Sequence, residues 1–241
     1  MAGFFLGTSG FQYDHWKGDF YPDDIPRSQW FSHYSTVFKA VEINNTFYGL
    51  PSRGTFDDWR EQAPDDFIYS LKFSRYGTHM KYLKDPEETQ ENFLERARLL
   101  EDHLGPILLQ LPPGWSPDPG RLDRFLDHAP EDLRWAVEFR NQGWLRDDIY
   151  RILERHGAAL CIHDLLEDHP RHLTADWTYL RFHGPEKYAG SYPSEGLQGE
   201  AGWITAQLKA GTDVYTFFNN DENGMAPRNA RELGSMVPDG P

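Results

Sequence analysis

The sequence predicts an α/β fold of the TIM type: a (β/α)8 barrel forming one domain over residues 1–241, with one irregular or missing helix. Three observations lead there. About eight short apolar runs of strand character alternate with helix-patterned segments. Polar and charged residues collect at the ends of those runs, and the C-terminal strand ends are where αβ barrels keep their chemistry. The length, 241 residues, suits one barrel, and no repeat, low-complexity tract or linker divides it. An open doubly wound sheet is the competing fold. It calls for a glycine-rich phosphate turn after the first strand, and Gly7-Thr8-Ser9-Gly10 lacks the third glycine and a helix directly behind it.

The strand candidates lie near residues 3–8, 39–45, 67–73, 106–111, 133–139, 158–163, 177–183 and 213–219. The second ends in Glu42 and Asn44, the third near Lys72 and the fourth in Gln110. The fifth ends in Glu138 and Arg140, the sixth in His163 and Asp164, the seventh in Arg181 and His183, and the last in Asn219, Asn220 and Asp221. Among the helices, Asp85-Pro86-Glu87-Glu88 reads as a cap, a first-turn proline and an acid three residues on. The stripe Phe93, Leu94, Ala97, Leu100 and Leu104 predicts a helix ending at Gly105, with Pro106 opening the next strand. Further helices carry Leu145, Ile149, Ile152 and Leu153; then Leu197, Ile204 and Leu208; then Ala226, Ala230, Leu233 and Val237. Little between Asp164 and Thr174 has a helical pattern, which marks the irregular connection.

Aromatic residues make up 15% of the chain, enough for ring platforms in a cleft as well as core packing. The formal charge of −14 repels phosphate backbones at long range, which disfavours nucleic acid as a partner but leaves room for a local basic pocket. Cys161 is the one cysteine, so no intrachain disulfide can form and a reducing compartment is expected. Met1 to Gly7 has no basic segment before a long apolar stretch, and no run is long enough to span a bilayer. The expectation is a cytoplasmic protein with no membrane partner.

Motifs spread along the chain carry a family resemblance. Gly7-Thr8-Ser9-Gly10-Phe11 with Trp16, Gly18 and Phe20-Tyr21-Pro22 opens the series, followed by Val41-Glu42-Ile43-Asn44-Asn45-Thr46-Phe47-Tyr48. Lys72 with Thr78-His79, Gln110-Leu111-Pro112-Pro113 and Glu138-Phe139-Arg140 with Trp144 come next. Tyr179-Leu180-Arg181-Phe182-His183-Gly184, Phe218-Asn219-Asn220-Asp221, Ala226-Pro227 and Asn229-Ala230 complete it. In this order the chain resembles the YecE-like proteins, domain of unknown function 72. The resemblance implies a TIM-barrel-like fold and supplies no reaction. Asn141 stands where that family often has His after Glu-Phe-Arg, and Gly143 where Ser is usual before Trp. Were that His an acid or base, this chain would rely on its carboxylates and on His79 or His183.

Strand side chains alternate with a period of two, so Glu42 and Asn44 share a face, as do Glu138 and Arg140, and Arg181 and His183. With Val41, Ile43, Val137 and Phe139 facing the helices, those pairs point into the barrel mouth. Glu42, Glu138, Asp164 and His183 are the candidate catalytic residues, since two carboxylates across a mouth serve as acid and base when their pKa values are pushed apart. Lys72, His79, Arg140 and Arg181 are candidate anion binders. Asn44, Gln110, Asn219 and Asn220 would orient substrate, with Trp16, Tyr48, Trp144 and Tyr188 as aromatic platforms. Glu138 has a plainer role open to it, holding Arg140 or Lys72 in place. Gly184 to Tyr192, with glycines at 184 and 190 and two tyrosines, is a candidate lid. Glu42, Glu138, Asp164, His163, His183 and Asp221 include metal-ligand types, yet no HxH, HExxH or CxxC spacing supports a divalent metal, and no cofactor is indicated. His169 and His172, beside Pro170, are expected in solvent, and Cys161 is expected as a buried strand residue. The expected ligand is small and anionic or polyhydroxyl. The chain would be an enzyme, a hydrolase or an isomerase; the alternatives are a metal-dependent nucleic-acid-processing barrel and a non-catalytic ligand-binding protein.

Overall fold

Eight parallel strands form a single sheet in the computed structural model, which describes residues 2–238. They are β1 (Phe4–Thr8), β2 (Ala40–Ile43), β3 (Ile68–Lys72), β4 (Leu104–Gln110), β5 (Trp135–Glu138), β6 (Ala159–His163), β7 (Trp177–Phe182) and β8 (Asp213–Phe218). Hydrogen-bonded neighbours run β1-β8-β7-β6-β5-β4-β3-β2, the order of a (β/α)8 barrel. The helices are α1 (Trp30–Val37), α2 (Asn45–Tyr48), α3 (Arg53–Gln62), α4 (Pro86–Ala97), α5 (Pro119–Asp127), α6 (Asp147–Arg155), α7 (Ser194–Lys209) and α8 (Met225–Met236). Between β6 and β7 the chain runs without a helix, as the patternless stretch after Asp164 foretold. No helix among the described residues is long and apolar enough to cross a membrane.

One expected helix is shortened. α4 stops at Ala97, a tight turn carries the chain to His103, and Glu101 takes φ 52° inside that turn. Leu104 and Gly105 therefore belong to β4. Gly105 is there because a Cβ would lie 2.3 Å from the Ile68 side chain, so the glycine serves strand packing, not helix termination. Asp85 also departs from the reading as a cap: its carboxylate turns to Lys81 at 2.9 Å.

The core has two layers. Outward-facing Val41, Ile43, Leu71, Leu109, Val137, Leu160, Ile162 and Leu180 pack against the helices. Inward-facing Ala40, Leu108, Ala136, Cys161, Tyr179, Tyr215 and Phe217 fill the barrel. A cluster of aromatic residues sits in the outer layer around the segment joining β1 to β2, where Tyr21 stacks on Trp30 at 4.6 Å.

The barrel closes weakly at one seam. Between β1 and β2 the sheet is reduced to a bridge at Ser9 and Glu42, with the Gly10 N–H donating to the Glu42 carbonyl at 2.8 Å. Lower down, the Tyr34 hydroxyl enters the gap, accepting from the Thr8 N–H at 2.9 Å and donating to the Ala40 carbonyl at 3.0 Å. Gly7 lets the strands approach, since a Cβ there would meet the Ala40 oxygen at 1.9 Å. Tyr34→Phe leaves two buried backbone groups unpartnered. The expected loss is about 1–3 kcal/mol of unfolding free energy, read as a lower urea midpoint at unchanged slope; an unchanged midpoint would remove the seam role.

Candidate functional site

The inward register sets the site. On β2, β3, β4, β5 and β7 the last inward positions are Glu42, Lys72, Gln110, Glu138 and Arg181, stacked above the apolar filling of the barrel. They form a polar layer at the C-terminal mouth, and Glu42, Glu138 and Arg181 are fully or almost fully buried.

Arg181 lies between the two glutamates. Its Nη2 donates to Glu42 Oε1 at 2.8 Å and its Nη1 to Glu138 Oε2 at 2.5 Å. Glu42 also accepts from Ser9 Oγ at 2.7 Å and from the Tyr179 hydroxyl at 2.7 Å. Ser70 Oγ lies 2.7 Å from that hydroxyl. Burial alone would raise the Glu42 carboxyl pKa, but Arg181, Tyr179 and Ser9 outweigh it and hold it below the ordinary 4.5. Burial acts the same way on Glu138, where Arg181 and Arg140 outweigh it and hold the carboxyl well below that value. The two acids are thus both ionised, where an acid–base pair needs their pKa values pushed apart.

Arg140 extends the network upward. Its Nε donates to Glu138 Oε1, its Nη1 to the Tyr188 hydroxyl at 2.7 Å, and its Nη2 faces Gln110 Oε1 and His183 Nε2, each at 3.3 Å. Behind His183 stands Asp164. It accepts from the His183 backbone N–H at 2.9 Å, from the ring Nδ1 at 3.0 Å and from the Tyr192 hydroxyl. An ionised Asp164 fixes the proton on Nδ1 and leaves the Nε2 lone pair at the mouth. Burial lowers the His183 pKa, and Asp164 only partly offsets it, so the ring is neutral at pH 7.

Two groups depart from this saturation: the buried Arg181 Nε, which has no partner among the described residues, and Lys72. Lys72 is 9% exposed, yet its ammonium has no hydrogen-bond acceptor and no carboxylate within 4 Å among the described residues. Its Nζ sits 4.4 Å from the centre of the Phe47 ring. Burial and the neighbouring Arg181 pull its pKa down to about 8. His79, in the turn after β3, packs edge-on to the same Phe47 ring at 5.0 Å; burial and Lys72 take its pKa down to about 4.

The profile described as Protein of unknown function DUF72 matches residues 5–240. The chain belongs to the DUF72 family. It is 35% identical over 109 residues to the UPF0759 protein YecE of Escherichia coli (strain K12), a match taking in 45% of this chain and 40% of that protein, so it spans less than half that relative's length. It is 23% identical over 268 aligned positions to the UPF0759 protein YunF of Bacillus subtilis (strain 168), covering 97% and 94% of the two. The crystal structure of a DUF72 family protein from Thermotoga maritima MSB8 superposes with a TM-score of 0.87 at 31% identity, over 97% of this chain and 98% of that one. One from Enterococcus faecalis V583 gives 0.79 at 19% identity, over 97% and 95%, which is likeness of fold.

Some of the motif residues fall on the mouth and on the seam below it. Gly7 to Gly10 makes the β1–β2 seam, and Glu138, Arg140, Arg181 and His183 make the ion network. Asn141 accepts from the Gly143 N–H at 2.9 Å and reaches the Pro113 carbonyl at 3.2 Å, bracing the turn after β5.

Several expected site residues lie elsewhere. Trp144 and Trp16 have no exposed surface: Trp144 stacks on Phe139 at 5.0 Å and donates to the Trp115 carbonyl, on the helix side of the sheet. Asn44 leaves the strand in helical conformation and lines a cavity of about 200 Å³ with Gly10, Tyr13 and Trp59, so it does not share the Glu42 face. Asn220 is buried and spent on the Gly190 carbonyl and Asn229, pinning the loop that was the candidate lid. Asn219 is half-buried and its side chain makes no hydrogen bond among the described residues. Tyr48 is on the rim, 78% exposed. His169, expected in solvent, packs against His163 at 4.5 Å with its Nε2 buried, whereas His172 is exposed as expected, with one face on Tyr150. Cys161 is buried as expected, and burial beside Glu138 pushes its thiol pKa up, so it carries no thiolate.

Tyr179, Ser70, Ser9, Phe47 and Tyr192 complete the site; none of them has a catalytic or binding role in the sequence reading, although Ser9, Phe47 and Tyr179 lie in the motifs of the resemblance and Tyr192 in the candidate lid. The period-two register would have found Tyr179 and Ser70, one step below Arg181 and Lys72 on the same face. Both ring nitrogens of His163 are engaged, with the Phe139 carbonyl and the Leu165 N–H, and no group of three or more His, Cys, Asp or Glu among the described residues is arranged to hold a metal ion.

Two outcomes follow. Arg181→Met strands buried Glu42 and leaves Glu138 with Arg140 alone, and the expected cost is about 3–5 kcal/mol at pH 7. The sign of its pH dependence should also invert. In the wild type the lowered Glu42 and Glu138 pKa values give stability that is present above pH 4.5 and lost below it. In the variant Glu42 has no cationic partner and titrates high, while Glu138 keeps Arg140, so stability should rise as pH falls from 7 to 5; parallel urea midpoints for the two proteins would contradict this. Separately, competitive acetylation of the lysines across pH 6–11 should give Lys72 a half-reactive point near 8, against about 10.4 for exposed lysines. Coincident curves would mean that burial does not tune Lys72.

Proposed function

We propose that this DUF72 protein is an enzyme acting on a small anionic, hydroxylated substrate at the C-terminal mouth of the barrel. Arg140 and Lys72 bind the anion, Gln110 and Tyr188 orient the substrate, and His183, backed by Asp164, moves a proton through Nε2. Glu42 and Glu138 hold Arg181 and Arg140 in place, since their oxygens are already filled by donors. The observation that carries this reading is Lys72, a largely buried side chain whose ammonium opens at the mouth and has no acceptor among the described residues, so that an incoming anion would pair it. The rim supports a ring-bearing substrate: the exposed large hydrophobics Tyr48, Leu50, Tyr76, Met80, Tyr82 and Tyr188 all follow the C-terminal ends of β2, β3 and β7.

The same rim is the specific observation behind a second reading, a nucleic-acid-processing barrel, because exposed tyrosines stack on bases. The formal charge of −14 weighs against it.

A thermal-shift series with inorganic phosphate, sulfate, ribose, ribose 5-phosphate and a short single-stranded oligonucleotide separates these readings. Ribose 5-phosphate should raise Tm most, phosphate less and ribose least. Lys72→Met should reduce the phosphate shift by more than half. His183→Gln should keep the shift while abolishing solvent proton exchange into any ligand the wild type exchanges. No shift with either phosphate compound at 10 mM, about the upper end of useful ligand affinity, would end the anion reading; a shift with the oligonucleotide alone would favour the second.

A further inference from the structure

We propose that Lys72 is a nucleophile that attacks the carbonyl carbon of a small anionic aldehyde or ketone and holds it as a Schiff base; this rests on the anion site proposed above and names its substrate class. Lysine position and surroundings argue for it together. Lys72 is the inward residue at the C-terminal end of β3, one pleat above Ser70, so its amine is delivered from a rigid strand into the mouth. Phe47 walls one side of the amine at 4.4 Å. The acids that would keep it protonated are already taken, Glu42 by Arg181, and Glu138 by Arg181 and Arg140. Two other lysines show the ordinary alternative: Lys39 pairs with Asp66 at 2.7 Å and Lys81 with Asp85 at 2.9 Å, both at the surface.

Charge balance points the same way. With Lys72 neutral, the two guanidinium groups and two carboxylates of the buried network cancel; with Lys72 protonated, one uncompensated positive charge lies beside them. The lowered pKa, about 8, agrees with a resident amine that gives up its proton near neutral pH. The chain has 17 arginines and 7 lysines, and this position holds a lysine, the one basic side chain of the two that can deprotonate and act as a nucleophile.

The chemistry balances without any further reagent. The amine lone pair forms the C–N bond while the carbonyl π pair moves to oxygen. A proton passes from nitrogen to that oxygen to give the carbinolamine. The remaining N–H proton is relayed through the Nε2 lone pair of His183 to the hydroxyl, which leaves as water while the nitrogen pair forms C=N, so both protons of the water come from the amine. Nothing is oxidised or reduced. Arg140 keeps the substrate's anionic group.

The test uses the wild-type protein with pyruvate or dihydroxyacetone phosphate and sodium cyanoborohydride at pH 7.5, followed by intact mass and peptide mapping. One reduced adduct per chain is expected, at least tenfold enriched on Lys72 over any of the other six lysines. It should be suppressed by inorganic phosphate and missing in Lys72→Met. Labelling spread over surface lysines, or none at Lys72, overturns the proposal. A phosphate-induced rise in Tm in the same samples keeps the two ideas apart. That rise without a Lys72 adduct leaves the anion site standing and removes the Schiff base. An adduct without it keeps the nucleophile and removes the phosphate-type anion site. Neither removes both.

Discussion

One buried guanidinium organises the mouth of this barrel. Arg181 is nearly inaccessible and touches carboxylates from two strands that are not its neighbours, β2 and β5. Ionised glutamates at those depths are tolerable because each has several donors, and donors from Ser9 and Tyr179 fill what Arg181 leaves on Glu42. The arrangement fixes the remaining geometry. With Glu138 anchored from below, Arg140 is oriented by its Nε, and its terminal nitrogens are aimed at Gln110, Tyr188 and His183.

The same pair of residues joins the site to the weakest part of the sheet. Ser9 and Glu42 form the backbone bridge between β1 and β2, and the Ser9 hydroxyl donates to the Glu42 carboxylate. Barrel closure and charge placement therefore share one contact. The Tyr34 hydroxyl fills the gap beneath it, at a point where Gly7 has no side chain to hold the strands apart. A substitution at the seam would reach the site through Glu42, although Gly7 and Tyr34 touch no residue of the ion network.

Much of this was legible in the residues. All eight strands and the helix-free connection after Asp164 followed from pattern, because alternating apolar runs and helix punctuation are local signals. The convergence of Glu42, Glu138, Arg140 and Arg181 followed from the period of two combined with closure. What failed did so where chain direction changes. Asn44 continues the strand pattern in sequence but has turned into α2, so the parity argument no longer applies to it. Trp144 follows Arg140 closely, yet the turn braced by Asn141 carries it to the helix side. Leu100 and Leu104 kept a helical spacing across a kink at Glu101 that composition does not mark. The proton inventory was also beyond sequence: two glutamates across a mouth suit acid–base work until an arginine is found between them.

The site thus has a closed side and an open side. On the closed side each carboxylate oxygen and nearly every guanidinium nitrogen has a partner, so those groups are held in one protonation state and one position. On the open side stand a neutral histidine whose Nε2 is engaged by Arg140 alone, at 3.3 Å, and a lysine with no acceptor among the described residues, both with lowered pKa values. Groups fixed in charge are good at orienting a ligand, and groups poised to gain or lose a proton are good at reacting with one. Because Arg140 contacts both sides, an anion binding there would stand next to the reactive groups, with its orientation set by Glu138 and, through Glu138, by Arg181.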